Sequence, residues 1–195
     1  AIEVKISSSS DIDELIEEIP EDLLPFFEVP NDVDVRGMIA AIAGENSQGG
    51  AAAKIRCGGV TPDAIPASDT IAAFLHACSL GGVMFKATAG LHHPVRAEYP
   101  LSYEDDAPRG VMHGFLNVFM AAALVRSSQI SMDDTITLLE ETDASAFTFT
   151  KDSASWRGRD LSLVQFAKAR ETFCLSYGSC SFEEPVDDLR SLGLL

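Results

Sequence analysis

The sequence predicts an α/β fold: a partial or complete (β/α) barrel-like parallel sheet with its helices on the outer face. Three observations carry this. Short strand candidates alternate with helix candidates along most of the chain, the pattern of successive βα units with right-handed crossovers. The strand candidates alternate apolar and charged side chains, whereas a sheet covered by helices on both faces reads as continuous apolar runs. Only six strand candidates occur, too few for a complete eight-stranded barrel.

The elements follow in order. Residues 2–6 (IEVKI) alternate apolar and charged. Ser10 offers an N-cap, with Asp13 at the capping-box position, before Ile12, Leu15, Ile16 and Ile19 at helical spacing; Pro20 stops the run. Residues 24–29 form the second strand. Asp32 is placed to cap a helix carrying Met38, Ile39 and Ile42, closed by Gly44. Residues 52–57 form the third strand. Ser68 caps a helix with Ile71, Phe74, Leu75 and Cys78, closed by Gly81 and Gly82. Residues 83–88 form the fourth strand. Residues 91–109 read as a long polar insertion with an acidic tip, followed by helices over 110–126 and 131–141. A fifth strand (146–150), a helix over 160–174, a short strand near 175–179 and a helix from about Glu184 complete the chain.

The 195 residues fit one domain, spanning 1–195, of a size and start that also suit the C-terminal part of a longer chain. A hydrophobic fraction of 46% supplies a core. The net charge of −16 argues against nucleic acid and anionic membrane surfaces as partners, since both would repel it. No apolar run approaches the roughly 20 residues that span a bilayer. Cys57, Cys78, Cys174 and Cys180 lack CxxC pairing and read as reduced thiols of a cytoplasmic protein. If the barrel is partial, its free strand edges call for a second subunit, so a homo-oligomer is expected.

The polar strand face carries Lys54, Arg56 and Lys86, with Glu28 and also Glu3 and Lys5 nearby. Two lysines at equal depth on adjacent strands should depress each other's pKa, and burial should depress it further. Such a lysine can attack a carbonyl and form a Schiff base, with a carboxylate shuttling protons. A structural ion-pair network gives the same pattern. His92 and His93 follow Gly90 at the end of the fourth strand, and His113 lies after the insertion; strand carboxyl ends are where ligands bind in parallel α/β folds. His92 or His113 is thus a candidate acid–base group. A divalent-metal site of His92, His93 and His113 is the alternative, although adjacent histidines in an extended segment point apart. Gly58, Gly59, Thr88, Gly90, Arg56, Arg96 and Arg157 are candidate contacts for an anionic substrate. No GxGxxG, Walker loop, HExxH or GxSxG is present, and no cofactor is implied.

FKATAG (residues 85–90) resembles the Schiff-base strand of deoxyribose-phosphate aldolase, and AKIRCGG (53–59) resembles that family's neighbouring lysine strand, here in the opposite chain order. The likeness to class I aldolase-type barrels implies a lyase in which Lys86 forms the imine and Lys54 tunes it. The aldolase phosphate-loop pattern is not evident. FKATAGLHHPV (85–95) and GSCSFEEPV (178–186) also resemble a family of uncharacterised bacterial proteins. The expectation is a small-molecule, aldolase-like enzyme acting on an anionic carbonyl substrate. A metal-assisted hydrolase or isomerase and a non-catalytic binding or oligomerisation domain are the alternatives.

Overall fold

A computed structural model describes residues 1–45 and 50–195. In chain order the elements are β1 (Ile2–Lys5), α1 (Ser9–Ile16), β2 (Pro25–Glu28), α2 (Val35–Glu45), β3 (Ala52–Arg56), α3 (Ser68–Gly81) and β4 (Phe85–Thr88). They continue with β5 (Ala97–Pro100), β6 (Arg109–Met112), α4 (Phe115–Arg126), α5 (Met132–Leu139), β7 (Phe147–Phe149), β8 (Ser153–Trp156) and β9 (Arg159–Ser162). The last three are α6 (Leu163–Thr172), β10 (Cys174–Tyr177) and α7 (Glu183–Ser191).

Five strands form the main sheet in the order β1-β2-β3-β4-β10, and every pairing is parallel. The order follows the chain, so each crossover steps the same way. Right-handed connections then put the covering helices on one face. That face is apolar: Phe27, Val29, Ala53, Ile55, Phe85, Ala87 and Cys174 join one core with residues of α2, α3 and α4 such as Ile39, Phe74 and Met120. Phe85 is its centre. It meets Phe74 edge-on at 5.4 Å and Phe173 edge-on at 5.2 Å between ring centroids. The other face presents the residues in between, among them Glu3, Glu28, Lys54 and Lys86. A complete barrel is not formed, because β1 and β10 are the two edges of the sheet and do not pair with each other.

Several expected elements shift for identifiable reasons. The tract SSSSDID contains two Ser-x-x-Asp candidates, and the earlier one caps α1: Ser8 Oγ donates to Asp11 Oδ1 at 2.6 Å, while Asp11 Oδ2 accepts the Ser8 amide at 3.2 Å. Ser68 is the first residue of α3 rather than its cap, which is Ala67; Gly82 closes the helix with φ +65°. Ser131 caps α5, accepting the Asp134 amide.

The polar insertion is not irregular. Residues 97–100 pair antiparallel with 109–112, so the helix expected from Gly110 starts only at Phe115. The expected fifth strand forms but leaves the main sheet for an antiparallel meander, β7-β8-β9. The loop expected over 151–159 supplies β8 and the turn after it. Arg157 (φ 47°) and Gly158 (φ 77°) make the two-residue, positive-φ connection that suits a twisted hairpin.

Phe85 is fully buried between two edge-on rings. Phe85→Ala is expected to cost about 3–5 kcal/mol, read from the shift of the urea unfolding midpoint.

Candidate functional site

Register places Glu28, Lys54 and Lys86 side by side on the polar face of the sheet. Glu3, one step lower on the edge strand, reaches up between the two lysines. Its Oε2 accepts from Lys54 Nζ at 2.5 Å and its Oε1 from Lys86 Nζ at 2.5 Å. Lys54 Nζ also lies 2.6 Å from Glu28 Oε2, and Lys86 Nζ sits 4.4 Å above the centre of the Phe26 ring. Two hydrogen bonds from ammonium groups hold the Glu3 carboxyl at about 2, well below its ordinary value. Burial alone would push Lys54 down, but Glu28 and Glu3 outweigh it, and the group stays above the ordinary lysine value. For Lys54 this reverses the expected depression, because two carboxylates act on it at contact distance.

A separate cavity of about 640 Å³ opens above this layer, over the carboxyl ends of β3, β4 and β10. Arg56, Gly59, Gly90, His92 and His93 line it, together with Tyr103, Ser179, Cys180 and Glu184. Lys54 and Lys86 do not. Its floor depends on close backbone packing: a Cβ on Gly58 would lie 2.8 Å from the Gly90 Cα, and one on Gly90 (φ 71°) 2.9 Å from the Cys57 carbonyl oxygen. Next to Gly90, Ala89 holds φ at 59°, a left-handed conformation costing a non-glycine residue roughly 1–2 kcal/mol. That strain sits in the wall of the cavity.

His92 brings an imidazole into this wall. Its Nδ1 faces Ser179 Oγ at 3.4 Å, Cys180 Sγ at 3.5 Å and Glu184 Oε2 at 3.6 Å. Burial lowers its pKa; Glu184 opposes this and His93 adds to the lowering. His93 turns to other partners, placing Nδ1 2.6 Å from Asp188 Oδ2 and stacking on Tyr99 with centroids 3.4 Å apart. Helix α7 therefore fastens onto both histidines, through Glu184 and Asp188.

The other expected site residues are not brought here. His113 is fully buried, donating from Nε2 to the Pro66 carbonyl at 2.8 Å and accepting at Nδ1 from Arg96 at 3.1 Å. That pins Arg96 and His113 to each other, and burial pushes the His113 pKa down. Arg157 pairs with Glu141 at 2.6 Å, and Glu141 also accepts from the Trp156 indole at 3.0 Å. Thr88 hydrogen-bonds weakly to the Ile55 carbonyl on the neighbouring strand. Among the described residues no group of three or more His, Cys, Asp and Glu side chains is arranged to hold a metal ion. No described helix is long and apolar enough to cross a membrane.

Cys180, Tyr103 and Glu184 escape a reading that looks only at the polar strand face, because they come from loops and from α7. One sequence cue marks Cys180: it sits in the polar run GSCSFEE, whereas the other three cysteines sit in apolar segments, and it alone of the four is exposed.

Glu3 has a folded-state pKa below its ordinary value of 4.5, so its pairing contributes stability that is present above that pH and lost as pH falls through about 2. Glu3→Gln is expected to lessen the fall in the urea midpoint between pH 4.5 and 2, compared with wild type. An unchanged acid limb would mean that Glu3 does not hold the two lysines. No family model, no curated protein and no solved structure matches the chain, so the functional reading rests on this geometry.

Proposed function

We propose that the protein is an enzyme acting on a small anionic carbonyl compound, held over the carboxyl ends of an open, (β/α) barrel-like sheet. One observation carries the reading: among the described residues Arg56 is the only cationic side chain lining the cavity besides the titratable histidines, and it faces the same space as His92. Arg56 supplies charge-assisted hydrogen bonds to a carboxylate or phosphate. His92 takes or gives a proton at the carbonyl or the adjacent carbon, the acid–base role in which histidine is used most often. Gly58 and Gly90 let two turns of backbone pack together beneath the cavity, and Gly59 and Gly90 line it. The volume of about 640 Å³ suits a compound of metabolite size. With three of the four cysteines buried as free thiols, we read the enzyme as cytoplasmic, with the β1 and β10 edges available to a second copy of the chain.

A second reading, a Schiff base on Lys86, is favoured by the direct register of Lys54 and Lys86 one step below Arg56 and Thr88. It requires Lys86 to leave Glu3 and shed its proton, Glu3 being the carboxylate in place to carry it.

Ligand-observed NMR with glyoxylate and pyruvate tests the proposal. Saturable binding is expected for the wild type, weakened about tenfold or more in Arg56→Ala, the loss of one charge-assisted contact. No binding of either compound would overturn it. Borohydride reduction in the same mixtures separates the two routes: a mass adduct on Lys86, absent from Lys86→Ala, establishes the imine, and its absence leaves His92 as the working group.

A further inference from the structure

We propose that Cys180 is the covalent nucleophile of this site, adding to the carbonyl carbon of a small anionic aldehyde. The proposal rests on the function argued above and assigns it a step.

Four features converge on the sulfur. Cys180 lines the same cavity as Arg56 and His92, and its Sγ lies 3.5 Å from His92 Nδ1. Ser179 is just as close to that nitrogen, but its hydroxyl donates to the Ser181 carbonyl at 2.9 Å, which leaves Nδ1 to accept the thiol proton. Tyr103 places its hydroxyl 3.3 Å from Sγ and 3.2 Å from Glu184 Oε2, and both neighbours keep the phenol protonated, Cys180 first and then Glu184. Cys180 also lies three residues before α7 begins at Glu183, toward the end of that helix where negative charge is favoured.

The contrast with the other cysteines is sharp. Burial pushes the Cys57 and Cys174 thiols up to about 12 and raises Cys78 as well, so none of them forms a thiolate at neutral pH. Their sulfurs pack in the core.

Because Cys180, Ser179 and Glu184 all face Nδ1, the neutral ring must carry its hydrogen on Nε2 to act as the base. Glu184 then stabilises the imidazolium through space, not by gripping the far nitrogen. In the step itself the Sγ–H proton passes to His92 Nδ1 while sulfur bonds to the carbonyl carbon. The C=O π bond breaks, and the same proton returns to the carbonyl oxygen. The product is a thiohemiacetal, with no other reactant consumed and nothing released. Arg56 holds the anionic end. Titratable groups facing the sulfur are His92 and His93 from the loop after β4, Tyr103 from the β5–β6 loop and Glu184 from α7; Arg56 adds a fixed charge from β3.

The test is iodoacetamide alkylation of the folded full-length chain, read peptide by peptide by mass spectrometry across pH 5–9. Wild-type Cys180 is expected to react at pH 7 at least about tenfold faster than free cysteine, whose thiolate fraction there is only a few per cent. His92→Gln is expected to remove that advantage, and glyoxylate is expected to slow alkylation in wild type but not in Arg56→Ala. A wild-type rate equal to that of free cysteine overturns the proposal whether or not any variant folds. Fast alkylation that glyoxylate does not slow overturns the carbonyl adduct. NMR binding of glyoxylate to Cys180→Ser separates the two claims. Binding there, with an ordinary Cys180 rate in wild type, removes the covalent step and leaves the proposed function standing. Absence of binding in both proteins overturns the proposed function, and this step with it.

Discussion

The bridge from Glu3 to Lys54 and Lys86 is the contact on which the polar face of the sheet depends. Parallel pairing in exact register sets Lys54 directly beside Lys86, and like charges opposite each other on neighbouring strands destabilise a sheet. Lys54 is also nearly buried, with 6% of its surface exposed, so its charge needs a partner within reach. Glu3 meets both demands with one carboxylate, using one oxygen for each ammonium, and Glu28 adds a second contact to the more buried lysine. Because Glu3 lies on the first strand and Lys86 on the fourth, the network ties an edge of the sheet across its width.

That bridge has a topological cause. A sheet whose strands follow chain order, with every crossover of one hand, stacks its helices on one side and leaves the other without helical cover. Phe27, Ile55 and Phe85 serve the covered side; Glu3, Lys54 and Lys86 serve the other. The cavity sits higher, where the strands end. There the chain leaves regular pairing, Gly58 and Gly90 bring two turns together, and Ala89 accepts a left-handed backbone. Helix α7 closes over these turns through His92–Glu184 and His93–Asp188, so the last segment of the chain shapes a site begun by the third and fourth strands.

Much of the fold was legible. The alternation in residues 2–6 and 52–57 pointed to strands with one charged face, and the helical spacing of Ile71, Phe74, Leu75 and Cys78 pointed to α3, ended by Gly82. The β5–β6 hairpin was not legible, since its strands are short and polar and exist only by pairing with each other. The same holds for β8 and β9. The position of His92 at the cavity was legible from its place after a strand end. His113 was not separable from it, because a buried histidine bound to a carbonyl and one lining a cavity look alike in a chain of letters.

The sequence by itself determined the α/β class, the one-sided charge of the strands and the set of chemically capable residues, because side-chain period and turn residues are local properties. The tertiary structure alone decided which of those residues meet. Lys54 and Lys86, the expected catalytic pair, are drawn to Glu3, 51 and 83 positions earlier in the chain. His92 is instead brought to Cys180 and Glu184, about 90 positions later. Such partners are chosen by strand order and by where the last helix docks, and contacts at that separation follow from burying one common core rather than from any local pattern.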